Sequence, residues 1–179
     1  MGGYFAPRAV AFEKRITAVI ANSLLPDLKT VFLTGMGFEP SKPYGADMED
    51  KVDLSEPIKK FMTTNLKERC GFADKPLAAL FDNLGGYSLA GLEEKITCPL
   101  LSIVGEGEGA LITGLGHAFY EKLTCPKTER LVRLVDGGEA HCTMNNPSLK
   151  HQIEFDSGES HLKLVDNVAG PCGFLENRF

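Results

Sequence analysis

Residues 97–109 read T-C-P-L-L-S-I-V-G-E-G-E-G, and this stretch decides the fold. The nearly uninterrupted apolar run 100–104 has the length of a strand and the pattern of one covered on both faces, as in parallel sheets. An acidic, glycine-rich loop follows it at once. Upstream, I-T-A-V-I-A at 16–21 is a second such run, rich in β-branched side chains. Downstream, 110–123 predicts a helix with apolar positions at Leu111, Leu115, Ala118, Phe119 and Leu123, and 130–135 predicts a third strand. Strands alternating with helices imply βαβ units and an α/β fold with a parallel sheet, whose sites collect at the carboxyl ends of the strands.

The remaining segments fit around that frame. The opening M-G-G-Y-F-A-P-R-A-V-A-F-E-K-R predicts a helix over 4–14, with Pro7 expected in its first turn. Residues 22–95 change character: Pro26, Pro40 and Pro43, an acidic cluster at Asp47, Glu49 and Asp50, and amphipathic helical patterns at 56–69 and 76–83. No strand is expected there, and a helical insertion between two strands suits a lid over a site. Asn146 as N-cap and Pro147 at the first helical position start a helix through S-L-K-H-Q-I-E-F-D. The chain thus divides into 1–21, the lid-like 22–95, a core at 96–156 holding the acidic loop and a histidine loop, and an atypical tail at 157–179.

Composition narrows the function. With 179 residues, 43% of them hydrophobic, the chain can bury a sizeable core. A net charge of -5, an isoelectric point near 5.4 and the absence of any basic run argue against nucleic acid or an anionic membrane as partner. Five cysteines, Cys70, Cys98, Cys125, Cys142 and Cys172, are an odd number with no C-x-x-C pair, which fits a reduced, cytoplasmic setting. No apolar stretch approaches a membrane span, and the N-terminus lacks the regions of a signal peptide.

His141 is the leading candidate for chemistry, in the loop D-G-G-E-A-H-C-T-M-N-N-P after the third strand. A carboxylate from the preceding loop, Glu106 or Glu108, would hold its imidazole in the tautomer a general base requires; otherwise G-E-G-E-G is a solvated turn. That loop lacks G-x-G-x-x-G, and two carboxylates would repel a pyrophosphate, which disfavours a nucleotide site. A metal site from His141, Cys142 and His151 matches no usual ligand spacing. Cys142 is a weak nucleophile candidate, because neighbours in extended backbone point apart. Neither a cofactor nor a metal is expected.

Two stretches, M-G-G-Y-F-A-P-R-A-V-A-F-E-K-R-I at 1–16 and I-T-C-P-L-L-S-I-V-G-E-G-E-G at 96–109 with E-A-H-C at 139–142, resemble the fungal α/β-hydrolases of secondary metabolism. That family includes pigment and toxin-pathway hydrolases, and the pseudooxynicotine C–C hydrolases resemble it more distantly. The likeness covers residues 1–156. It implies a partial α/β-hydrolase fold in which 1–16 follows a G-x-S-x-G nucleophile elbow, so that the serine falls one position before Met1 and Gly2 is the closing glycine. The Met1 backbone nitrogen then matches an oxyanion-hole donor, His141 the general base, and Glu108, ahead of Glu106, the acidic member. The tail departs from the family's terminal helix.

The expectation from this resemblance is serine-type hydrolysis of an acyl or C–C bond in a polyketide-like small molecule, with this chain truncated before its nucleophile and inactive alone. Phe61, Met62 and Phe81 suggest an apolar pocket under the lid, though such residues are more often simple core. The alternative is a non-catalytic interaction module or a subunit completed by another chain. Because the family's strand at 16–21 pairs upstream of Met1, its apolar edge is expected to drive homodimerisation or aggregation.

Overall fold

The computed structural model describes residues 1–53 and 55–156, with Ile58 and Met62 described by backbone alone; the expected tail at 157–179 lies outside the described residues. Three parallel strands, β1 (Val19–Asn22), β2 (Leu100–Gly105) and β3 (Lys127–Val132), form a sheet in the order β1-β2-β3. Val19 pairs with Leu100 and Leu100 with Lys127, so the three strands end side by side. All six residues of β2 are buried, as the apolar run requires of a central strand. Fully burying each of its Leu, Ile and Val side chains contributes about 1.5–3 kcal/mol. The fold is a mixed α/β arrangement of a small parallel sheet with flanking helices.

Helix α1 (Gly2–Phe12) precedes β1 and begins two residues earlier than the expected 4–14. Pro7 is therefore its sixth residue, beyond the first turn. The missing Pro7 N–H leaves the Gly3 carbonyl without its helical donor, and the Leu25 N–H fills the vacancy at 3.1 Å. A Cβ on Gly3 would meet the Ser23 carbonyl oxygen at 1.5 Å, so only glycine lets α1 approach the chain leaving β1 this closely.

Between β1 and β2 the described residues contain helices and turns, with one isolated antiparallel bridge between Asp27 and Ser88. Helix α2 (Leu28–Gly35) is capped by Asp27, whose carboxylate accepts from the Thr30 N–H at 3.1 Å. The helix expected at 56–69 is a composite: α3 (Pro57–Phe61), a π-helical turn (Met62–Leu66) and α4 (Lys67–Arg69). Thr63 and Thr64 donate their hydroxyls back to the Lys59 and Lys60 carbonyls, a competition that distorts regular helices. Lys67 anchors this segment by reaching both carboxylate oxygens of Glu49 at 3.0 Å. Helix α5 (Leu77–Leu84) buries Leu77, Leu80, Phe81 and Leu84.

Helix α6 (Ala110–Lys122) joins β2 to β3. Its core-facing stripe differs from the expected one: Gly116, Phe119 and Leu123 are buried and Ile112 packs on the core, whereas Leu111 is exposed. That spacing of four, three and four residues is the helical repeat. Strand β3 also starts three residues before the expected 130–135, and Leu134 and Val135 stand exposed in a 3-10 turn. Helix α7, over 147–156, begins as expected, with the Asn146 side-chain oxygen accepting from the Leu149 N–H at 3.1 Å. Leu149 and Ile153 of α7 cover Leu101, Ile103 and Val132 on one sheet face.

Candidate functional site

Three loops meet at the carboxyl ends of the strands. Ser23 follows β1, Glu106–Glu108 form a single 3-10 turn after β2, and His141–Thr143 form another beyond β3. The second and third loops are clipped together, because the Gly107 N–H donates to the Glu139 carbonyl at 3.0 Å. Gly105 makes this possible: a Cβ there would meet the Glu139 oxygen at 2.2 Å. Asn145 holds the far side of the histidine loop by accepting from the Ala140 N–H and donating to the Glu139 carboxylate.

This clipping resolves the choice between the two glutamates. Glu106 turns away and accepts from the Leu134 N–H at 2.8 Å. Glu108 points inward, and its Oε2 lies 3.0 Å from His141 Nδ1. The Glu108 side chain is 1% exposed and that of His141 55%, so a buried carboxylate holds a half-exposed imidazole. The other Glu108 oxygen accepts a hydrogen bond from the Ser23 hydroxyl, itself buried. A buried carboxylate requires such donors on both oxygens.

With Glu108 as acceptor, the proton of the neutral imidazole sits on Nδ1 and the lone pair on Nε2. The Glu108 hydrogen bond is the main cause that holds the His141 pKa above its ordinary value; burial opposes it and the Glu108 charge reinforces it. The Met1 carbonyl starts α1 by accepting from the Tyr4 and Phe5 N–H groups.

At Nε2 stands the thiol of Cys142, with Sγ 3.2 Å away. The expectation that adjacent residues point apart fails here because the backbone is not extended. Cys142 is left-handed at φ 56 and ψ 24, and Thr143 follows at φ 54. Each such conformation costs a non-glycine residue about 1–2 kcal/mol. The result turns Sγ back over the ring, where it also lies 3.2 Å from the Asn22 carbonyl oxygen. Burial is the first cause that raises the thiol pKa, and the Glu108 charge the second.

The other expectations fare differently. His151 packs against Phe155, and among the described residues no group of three or more His, Cys, Asp or Glu side chains could hold a metal ion. Phe81 is core, Phe61 is half exposed, and the Met62 side chain lies outside the described residues. A cavity of about 660 Å³ does sit in the 22–95 region, lined by Lys29, Tyr44 and Asp82 among others, but it shares no residue with the Glu108–His141 site. Cys70, Cys98, Cys125 and Cys142 are unpaired. Among the described residues no helix is long and apolar enough to cross a membrane.

Sequence reasoning missed Ser23 altogether. The available signal was its place directly after an apolar strand, at the sheet end where functional groups gather. No family model matches the chain, and no curated protein matches it.

Proposed function

We propose that Glu108 and His141 are the acid and base of a serine-type α/β-hydrolase relay that cleaves an acyl or C–C bond in a polyketide-like small molecule. The observation that carries this reading is the buried Glu108 carboxylate 3.0 Å from His141 Nδ1, on successive loops at the carboxyl ends of adjacent parallel strands. The resemblance to the fungal hydrolases supplies the serine, one position ahead of Met1. His141 Nε2 removes the serine proton as the hydroxyl attacks the carbonyl; Glu108 stabilises the imidazolium; His141 then protonates the leaving group and activates water against the covalent intermediate. The Met1 backbone nitrogen would serve the oxyanion, and no cofactor is needed.

The test is serine-directed labelling of the product translated with its upstream codons, using a fluorophosphonate. A label on a serine directly ahead of Met1, lost in His141→Gln, is the expected result. An upstream product without that serine, or a label indifferent to His141, contradicts the reading.

An interaction role is the second reading, favoured by one observation: β1 has no strand on its outer edge among the described residues, and Ile20 of that strand is exposed. A second copy of this chain in a reducing compartment such as the cytoplasm is the proposed partner. Sedimentation at micromolar concentration should show dimer or larger species that Ile20→Lys disperses; a monodisperse wild-type monomer would contradict it.

A further inference from the structure

We propose that Cys142 is itself a nucleophile served by His141 and Glu108, able to take the acyl group from an activated ester or thioester of a small carboxylic acid. The proposal rests on the Glu108–His141 pair acting as a base, as above, but places the attacking atom within residues 1–156.

Its surroundings set Cys142 apart from the other described thiols. Its Sγ lies 3.2 Å from the ring nitrogen that carries the lone pair, and the opposite nitrogen is held by a carboxylate. The other imidazoles among the described residues are occupied elsewhere, His117 by Glu129 and His151 against Phe155. The consecutive left-handed residues Cys142 and Thr143 are what aim the sulfur at the base rather than away from it. The S–H has two acceptors at 3.2 Å, His141 Nε2 and the Asn22 carbonyl oxygen. The Asn22 carboxamide is buried with both polar atoms unpartnered, an unused donor on the residue that contacts the thiol.

Burial keeps the thiol protonated at neutral pH, so the attack requires general-base help. As the Sγ–carbonyl carbon bond forms, the S–H proton passes to His141 Nε2 and the carbonyl π pair moves to oxygen. Collapse of the tetrahedral species breaks the bond to the alkoxide or thiolate leaving group, which takes the proton from Nε2. Water, deprotonated by Nε2, then attacks the Cys142 thioester; the carboxylic acid departs and the thiolate recovers its proton. Glu108 remains ionised throughout and holds Nδ1–H.

The experiment uses the full chain with p-nitrophenyl acetate, following p-nitrophenolate release and locating the acetyl group by peptide mass spectrometry. Cys142 should acetylate about 100-fold faster than the exposed Cys70 once each is compared with free cysteine, the size of a general-base contribution. Glu108→Gln should remove most of that advantage without altering Cys70, Cys142→Ala should abolish the fast phase, and Cys70→Ser should leave it intact. Should Glu108→Gln fail to fold, His141→Gln, at a half-exposed side chain, provides the same comparison. Acetylation that follows exposure alone, with Cys70 leading, or a Cys142 rate unchanged in folded Glu108→Gln, overturns the proposal. The two readings separate cleanly: fluorophosphonate reports the upstream serine, and acetyl mapping on this chain reports Cys142.

Discussion

Among the described residues there are two histidine–glutamate pairs, and the closer one is the less equipped for chemistry. His117 Nδ1 lies 2.7 Å from Glu129 Oε2, against 3.0 Å for His141 and Glu108. Both imidazoles have their pKa raised by the partner carboxylate. Yet Glu129 is 22% exposed with Oε1 unpartnered, and His117 lies on α6 over Tyr120, its ring stacked at 6.3 Å. Glu108 is enclosed, its second oxygen is satisfied by Ser23 from a third loop, and the far nitrogen of its histidine meets a thiol. Distance alone does not separate the two pairs; they differ in burial of the acid, in donors on both its oxygens and in the thiol at the free nitrogen.

The largest expected contrast comes from glycines beside the two pairs. Gly105→Ala would drive a Cβ into the Glu139 carbonyl and separate the acid and histidine loops, costing on the order of 3 kcal/mol. Gly114→Ala, on α6 and beside the His117 pair, meets nothing within 4 Å and should stabilise by about 0.5–1 kcal/mol through helix propensity. Urea denaturation of both variants checks the difference in size and sign. Similar small effects from both would mean that the two loops at the Glu108 pair are not packed as described.

Next in size are the carboxylates. Glu108→Gln leaves one of two buried donors without a suitable acceptor and should cost about 1–3 kcal/mol, whereas Glu129→Gln should fall within about 0.5 kcal/mol of wild type. Ser23→Ala removes one donor to Glu108 and should cost about 1 kcal/mol. Equal effects from Glu108→Gln and Glu129→Gln in the same denaturation series would erase the distinction between the pairs.

The smallest effect is in pH dependence. Each histidine has a folded pKa above its unfolded value of about 6.5, so each pair contributes its full stability below that pH. The contribution disappears as pH rises through the raised folded pKa. Glu108→Gln and Glu129→Gln should each flatten this part of the stability profile, because each returns its histidine toward the unfolded value. A profile that gains stability across the same interval in the wild type would contradict both assignments.

Much of this was legible in the sequence because it follows from patterns that local physics enforces. The run 100–104 marked a buried strand, Asn146-Pro147 marked a helix start, and the acidic and histidine loops fell after successive strands, which left Glu106 and Glu108 both open as the partner of His141. The start of β3 was not legible. Lys127, Thr128 and Glu129 are polar, as a strand on the outside of a small sheet permits, while the apolar Leu134 and Val135 belong to an exposed turn. Nor was the apolar stripe of α6, whose contact with the chain after β1 uses Gly116 rather than a large side chain. Ser23 was hidden because its contact with Glu108 joins residues far apart in sequence. The turn of Cys142 toward His141 was hidden because left-handed backbone at a cysteine is not encoded by any local preference.

The central claim is that Glu108 fixes and charges His141, and nuclear magnetic resonance titration of the imidazoles tests it most directly. In the wild type His141 should titrate above 6.5 with its neutral proton on Nδ1. In Glu108→Gln its pKa should fall while that of His117 stays, and Glu129→Gln should do the reverse. A His141 that titrates at the ordinary value in the wild type and does not respond to Glu108→Gln would contradict the account.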